Sequence, residues 1–310
     1  MNVSAATLTL PAFAKINLGL RIPGKRPDSY HEVDTILQTI SLHDTITLRA
    51  VEGPHIVLSC NDRTLSKGAN NLVNRAAAAL QRYTPDKGVY IRLDKRIPTR
   101  AGLGGGSADA ATTLLGLCHL WKIEVTNQEL IEIATTLGSD VPFFFWGGRA
   151  HATGTGTTLT ALDDAPRNFL LVLKPNPNIS SARAYGALNL HSLTTSNSKT
   201  ILSSSQSHAI PDSSDPDALK NDFEAVVLEL EPEIVRAKAA LLKAGARNSV
   251  LTGSGSAVFG VFDNRQAQER AIQTIELETG WRVFPCTTVG RSHYRSAMGQ
   301  VGAMFARFSG

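Results

Sequence analysis

The sequence predicts an α+β protein, and three observations carry that prediction. Strand-like and helix-like segments alternate through the first half, a glycine-rich loop joins one such strand to one such helix, and the second half repeats the theme without an internal sequence repeat. At 310 residues and 42% hydrophobic content the chain is long enough for two ordinary domains or one large one, and disorder throughout is excluded.

Alternating or apolar runs place strands at 7–10, 14–22, 45–49 and 55–59, followed by a helix at 72–82. In the next strand, 89–93, Val89, Ile91 and Leu93 alternate with Tyr90 and Arg92. The helical spacing of Ala111, Leu114, Leu115, Cys118 and Trp121 sets a helix at 107–121, with Ser107 as its expected N-cap. A helix at 128–137 is expected to stop on a left-handed Gly138, and Phe143 to Trp146 begins another helix or a buried turn. Strand 169–173 opens the second half. Residues 191–217, rich in Ser, Thr, Asn and Asp, read as a long loop or insertion. Helices at 217–230 and 231–244 and a strand at 257–262 follow.

A net charge of +4 and a pI near 9.0 suit an anionic substrate. Lys and Arg are dispersed without a basic run, so no nucleic-acid partner is expected. Cys60, Cys118 and Cys286 lie far apart, which leaves neither a disulfide framework nor a paired-cysteine metal site and fits a reducing compartment. No apolar run reaches the roughly 18 residues of a membrane span, and the N-terminus lacks the layout of a signal peptide, so a soluble cytoplasmic protein is expected.

The segment with the most chemistry is Pro98-Thr99-Arg100-Ala101-Gly102-Leu103-Gly104-Gly105-Gly106-Ser107-Ala108. Glycines let the backbone turn tightly and bring N–H groups against an anion, and the helix behind them presents its positive end, so this strand-to-helix loop reads as a phosphate cradle. No Lys-Ser/Thr pair follows the last glycine, as a Walker A loop requires, and Ser107 stands where a dinucleotide fingerprint needs Gly or Ala. The alternative is a close helix–strand packing turn.

Four further positions each leave two readings. Alternation puts Lys15 and Asn17 on one strand face, either toward solvent or toward a phosphate or a neighbouring acid. Asp140, in Gly138-Ser139-Asp140-Val141-Pro142, is either an N-cap or a general base. Tyr30 and His31, in Asp28-Ser29-Tyr30-His31, are either ordinary surface residues or a stacking face and a polar group for a nucleobase. The small-residue run 251–257 is either a tight turn or a second wall of one phosphate-bearing cleft.

Together, Ala14-Lys15-Ile16-Asn17-Leu18, the 98–108 loop continuing into Ala110-Ala111, the Asp140 segment and Leu251-Thr252-Gly253-Ser254-Gly255 resemble the motifs of the GHMP kinases, in order from about residue 12 to 260. Within that superfamily the Lys15/Asn17 strand, the Ser29-Tyr30-His31 loop and the Asp140 segment are similar to the branch acting on a cytidine-diphosphate-bearing methylerythritol. The resemblance implies a two-domain fold divided as 1–165 and 166–310, with the active site in the interdomain cleft. It implies ATP-dependent phosphorylation of the tertiary 2-hydroxyl, with ATP on the 98–108 loop, Mg²⁺ expected and its ligands unassigned. By the same resemblance Asp140 is the base, Lys15 its electrostatic partner, and Asn17, Tyr30 and His31 hold the substrate. A monomer or homodimer without membrane partners is expected. Ala108 departs from family members that carry a second serine there, which implies phosphate binding weaker by about 1 kcal/mol. A kinase of homoserine or mevalonate, or a silent nucleotide-binding protein on the same fold, are the competing readings.

Overall fold

The computed structural model describes residues 6–28, 30–194 and 218–308. Its first half is built on one long hairpin. Strand β1 (Thr7–Lys25) pairs antiparallel with β2 (His31–Glu52), with register shifts at Phe13/Lys15, Asn17/Gly19 and Arg21/Gly24. The expected strands at 7–10 and 14–22 are one strand, because Pro11 sits in register opposite Thr45 and does not interrupt it. Most of β2 eluded the sequence, since four of its polar side chains, Thr35, Gln38, Thr39 and Asp44, are buried and blur the alternation.

Strand β3 (Ile56–Cys60), helix α1 (Leu72–Gln81), strand β4 (Lys87–Asp94), helix α2 (Gly105–Trp121) and helix α3 (Asn127–Leu137) follow. Each helix has a local cause. Asn71 caps α1 by accepting from the Val73 amide, and Thr126 with Glu129 forms a reciprocal capping box on α3. Two terminal expectations are corrected. Helix α2 starts from Gly104 at φ +67°, so Ser107 lies inside its first turn and is not the N-cap. Gly138 at φ 169° is extended, not left-handed.

The turn α4 (Phe143–Trp146) buries three consecutive Phe side chains, and β5 (Arg149–Thr153) with β6 (Thr158–Leu162) extends the sheet beside β2. The second half contributes β7 (Phe169–Lys174), α5 (Ser181–Thr194), β8 (Lys220–Asn221), α6 (Glu224–Leu230), α7 (Pro232–Lys243), β9 (Asn248–Leu251), β10 (Val258–Phe262), α8 (Arg265–Thr274), β11 (Arg282–Thr287), α9 (Arg291–Ala297) and a 3₁₀ stretch Gly299–Phe308. The helix expected at 217–230 is therefore a short strand and a shorter helix. Of the polar tract at 191–217, its first four residues close α5 and the rest lies outside the described residues.

Two sheets result. One runs β3-β4-β2-β1-β8 with β5 and β6 attached, and the other is antiparallel in the order β11-β7-β10-β9. Strand β8 crosses back to pair with Gly19 and Leu20, and α9 with the 3₁₀ stretch packs Tyr294, Met298, Val301 and Phe308 into the core beneath the first sheet. A second core, including Ile16, Ile40, Leu103, Val172 and Phe259, joins the two sheets.

Candidate active site

A cleft encloses about 900 Å³. One wall is the 98–107 loop with Lys15, Lys95, Asp109 and Asp140; the residues opposite include Lys174, Asn176, Ser254 and Arg282. The loop is held from below. The Lys15 amide donates to the Leu103 carbonyl at 3.0 Å, and a Cβ on Gly104 would come within 3.0 Å of both the Lys15 stem and Phe144. With no side-chain hydrogen bond capping α2, the amides that begin the helix keep their hydrogen-bonding capacity toward the cleft.

The 251–257 run packs directly on this loop. The Thr252 hydroxyl donates to the Gly102 carbonyl at 3.2 Å, the Ala257 amide donates to the Ala101 carbonyl at 3.2 Å, and a Cβ on Gly102 would sit 2.0 Å from the Thr252 oxygen. Glycine at 102, with φ +74°, is thus what allows the two loops to touch. Ser254 completes the cleft wall.

Lys15 and Asn17 face inward, not to solvent: their residues are 4% and 2% exposed. The Lys15 ammonium lies 3.5 Å from the Asp140 carboxylate and donates to Asn17 Oδ1 at 2.8 Å. Asn17 Oδ1 also accepts from the Gly253 amide at 2.9 Å, while Nδ2 donates to the Thr35 hydroxyl at 2.8 Å. Thr35 spends its own proton on the Gly19 carbonyl. The orientation of the Asn17 amide is therefore fixed, and both of its polar atoms are taken by protein partners. Asp140 does not cap a helix: Pro142 precedes α4, and the carboxylate side chain is 36% exposed on the cleft.

Farther along the loop, a buried ammonium is shared by two carboxylates. Lys95 Nζ donates to Asp44 and, at 2.8 Å, to Asp109, and Asp44 Oδ1 accepts from the Arg96 and Ile97 amides. The triad ties the end of β4 to the start of α2. Burial, opposed by Lys95, pushes the Asp109 carboxyl up to about 7, and the two carboxylates hold Lys95 above its usual value despite its own burial. Across the cleft Lys174 donates to the Pro175 and Pro177 carbonyls, and burial lowers it to about 8.

Near Asp140, but outside the residues that line the cleft, lies an aromatic cluster. His31 stacks on Tyr185 of α5 with centroids 4.6 Å apart, and Tyr185 meets Phe223 edge-on. Burial and then the Asp140 charge raise the Tyr185 phenol. Tyr30, next to His31 in the chain, is 67% exposed, and Ser29 lies outside the described residues.

The fold thus brings together Lys15, Asn17, Asp140 and residues 98–107, and stacks His31 on Tyr185 near Asp140 but outside the residues that line the cleft, with Tyr30 exposed. Ala108 is corrected: it is fully buried in the core, so the absence of a hydroxyl there removes nothing from the cleft. Sequence reasoning missed Tyr185, whose neighbours carry no pattern, and the Asp44–Lys95–Asp109 triad, whose members are joined only by the fold. The Gly-Ser-Gly run was the one signal on the second wall.

A glycine loop opening a helix, a buried lysine beside an aspartate and a two-sheet cleft define a small-molecule kinase of the GHMP class. Family models agree: "GHMP kinases N terminal domain" matches residues 71–148 and "GHMP kinases C terminal" matches residues 207–278. A Geobacter sp. (strain M21) protein named 4-diphosphocytidyl-2-C-methyl-D-erythritol kinase is 40% identical over 91% of this chain and 99% of its own length. A Solibacter usitatus protein of the same name is 41% identical over 93% and 90%. A crystal structure of 4-(cytidine 5'-diphospho)-2C-methyl-D-erythritol kinase superposes with a TM-score of 0.73 at 31% identity, covering 91% of this chain and all of that one. The Methanococcus jannaschii mevalonate kinase, at 15% identity and a TM-score of 0.69 over 94% of this chain and 100% of its own, shares the fold alone. The chain belongs to the 4-diphosphocytidyl-2-C-methyl-D-erythritol kinase family.

Proposed function

We propose that this protein transfers the γ-phosphoryl group of ATP to the 2-hydroxyl of 4-diphosphocytidyl-2-C-methyl-D-erythritol, giving the 2-phosphate and ADP in the non-mevalonate route to isoprenoid precursors. The observation that carries the reading is the Lys15–Asp140 pair, 3.5 Å apart at the foot of the glycine loop, in a chain of this family.

Asp140 accepts the hydroxyl proton as the oxygen attacks the γ-phosphorus, and the ADP oxygen leaves with the bonding pair. Lys15, anchored by Asn17, lies beside the carboxylate and opposes the charge that develops on the attacking oxygen. The amides of residues 104–107 face the phosphates, and the nucleoside extends toward Asn71 and Lys95. His31, Tyr185 and Tyr30 form the cytidine platform on the far side of Asp140, which separates acceptor from nucleotide. Asn17 is then a positioning residue.

Magnesium enters with ATP. The Ser107 hydroxyl and the Asp140 carboxylate line the cleft together, and oxygen donors of this kind beside phosphate suit the ion, which would shield phosphate charge. The two sheets serve as lobes divided near residue 165, and one chain supplies every residue used, as a monomer or as each half of a homodimer.

ADP release with purified protein, ATP, Mg²⁺ and the cytidyl acceptor, with homoserine and mevalonate in parallel, tests the reading. Turnover on the cytidyl acceptor alone is expected; turnover on either comparison alcohol without it would overturn the substrate assignment.

A further inference from the structure

Arg100 is anomalous in the nucleotide loop on three counts. Its backbone sits in the left-handed region at φ +52°, where a side chain with a Cβ is strained. Among the described residues the other non-glycine residue with positive φ is Lys122, whose conformation ends α2 with its amide on the Cys118 and His119 carbonyls. Arg100 ends no helix. Its side chain is exposed, lines the cleft, and has neither an ion-pair nor a hydrogen-bond partner among the described residues.

Nothing local accounts for an arginine here. The loop uses glycine at its other positive-φ positions, 102 and 104, and glycine at 100 would adopt the same turn without strain. A strained residue whose side chain has no hydrogen-bond or ion-pair partner among the described residues, at the edge of a site, points to a ligand outside the chain.

The chemistry of that ligand follows from the other cations. Lys15 is committed to Asp140 and Asn17, Lys95 to Asp44 and Asp109, and Lys174 to two backbone carbonyls. Arg282, on the opposite wall, lies over the Phe284 ring. Arg100 is the uncommitted cation on the phosphate loop itself, and its planar fork of donors matches phosphate oxygens.

We infer that the Arg100 guanidinium is a direct ligand of the ATP triphosphate, adding a side-chain contact to those of the loop amides. This rests on the ATP-dependent reading given above. Such a contact follows the phosphate and not the nucleoside.

Calorimetric titration of ATP, ADP, AMP and adenosine into wild-type protein, Arg100→Gly and Arg100→Lys, with Mg²⁺, tests it. Arg100→Gly is expected to bind ATP roughly ten- to a hundredfold more weakly, as loss of a charge-assisted contact implies, with adenosine unchanged. Arg100→Lys is expected to fall between the two, because the charge stays and the fork is lost. The ligand-free Arg100→Gly protein should melt no lower than wild type, since the strain is relieved. Unchanged ATP affinity in Arg100→Gly, or an equal loss for ATP and adenosine, would overturn the inference while leaving the kinase reading intact. Wild-type protein that binds none of the four would remove the kinase reading and this inference with it.

Discussion

Asn17→Ala separates a residue that positions Lys15 beside Asp140 from one that touches the acceptor. The substitution deletes an amide that accepts from Lys15 at 2.8 Å and from the Gly253 amide at 2.9 Å and donates to Thr35 at 2.8 Å, all in a region closed to solvent. Two donors lose their acceptor. At roughly 1–3 kcal/mol for each orphaned buried donor, the fold loses about 2–6 kcal/mol, enough to lower the melting temperature of a chain this long by roughly 3–9 °C. Lys15 loses the contact that fixes its ammonium beside Asp140, and misplacement of that order costs about 10- to 100-fold in kcat. The acceptor KM should move by less than about threefold, because Asn17 is 2% exposed and its amide is turned onto Lys15, Gly253 and Thr35 and not into the cleft. Asn17→Asp should also fail to rescue, since the Thr35 oxygen, its proton committed to the Gly19 carbonyl, would face a second acceptor. Thermal unfolding and steady-state kinetics on the same preparations decide the matter. An acceptor KM raised tenfold or more, with kcat and melting temperature at wild-type values, would refute the reasoning and make Asn17 a substrate contact.

Asp140→Asn should lower kcat by about 10²-fold or more with ATP affinity by calorimetry unchanged; near-normal turnover would remove Asp140 as the base. Gly102→Ala places a Cβ 2.0 Å from the Thr252 oxygen at φ +74°, so the loops must part, with a cost of at least about 2 kcal/mol and weakened ATP binding, seen in thermal shift and titration. Asp109→Asn should change how stability depends on pH. With the folded carboxyl pushed up to about 7, the folded state keeps a proton that the unfolded chain releases near 3.9, so this group's contribution falls as pH rises from about 4 to about 7 and is level above that. The variant lacks that slope, and urea unfolding at pH 5 and pH 8 should show it gaining on wild type at the higher pH, by at most about 3 kcal/mol.

The parts of the fold legible in the sequence are those where one local cause dominates. The spacing of Ala111, Leu114, Leu115, Cys118 and Trp121 marked the body of α2, and the apolar run at 169–173 marked β7, because burial on one element was enough to write the pattern. Where the fold overrides local chemistry the reading slipped. Ser107 has the chemistry of an N-cap, yet the helix begins on Gly104, whose left-handed turn and lack of a side chain suit a loop that leaves its amides to a ligand. The buried polar side chains of β2 are satisfied by distant partners, as when Gln38 donates to the Val289 carbonyl, and no window of sequence contains that bond.

The site divides the same way. Lys15, Asp140 and the glycine loop were visible as motifs, although the sequence left Lys15 between solvent and cleft until the fold buried it against Asn17. Tyr185 reaches His31 only because the fold brings α5 to the start of β2, and the Asp44–Lys95–Asp109 triad joins three segments far apart in the chain.

The central claim is phosphoryl transfer to one hydroxyl of one acceptor. Proton-coupled ³¹P NMR of the product formed from ATP, Mg²⁺ and 4-diphosphocytidyl-2-C-methyl-D-erythritol tests it directly, because the tertiary 2-carbon bears no hydrogen and a phosphate there has no three-bond coupling to a proton. A new phosphomonoester signal without that splitting, formed by wild-type protein and absent with Asp140→Asn, is the result expected. A signal split by neighbouring protons, or no new signal while ATP is bound, would contradict it.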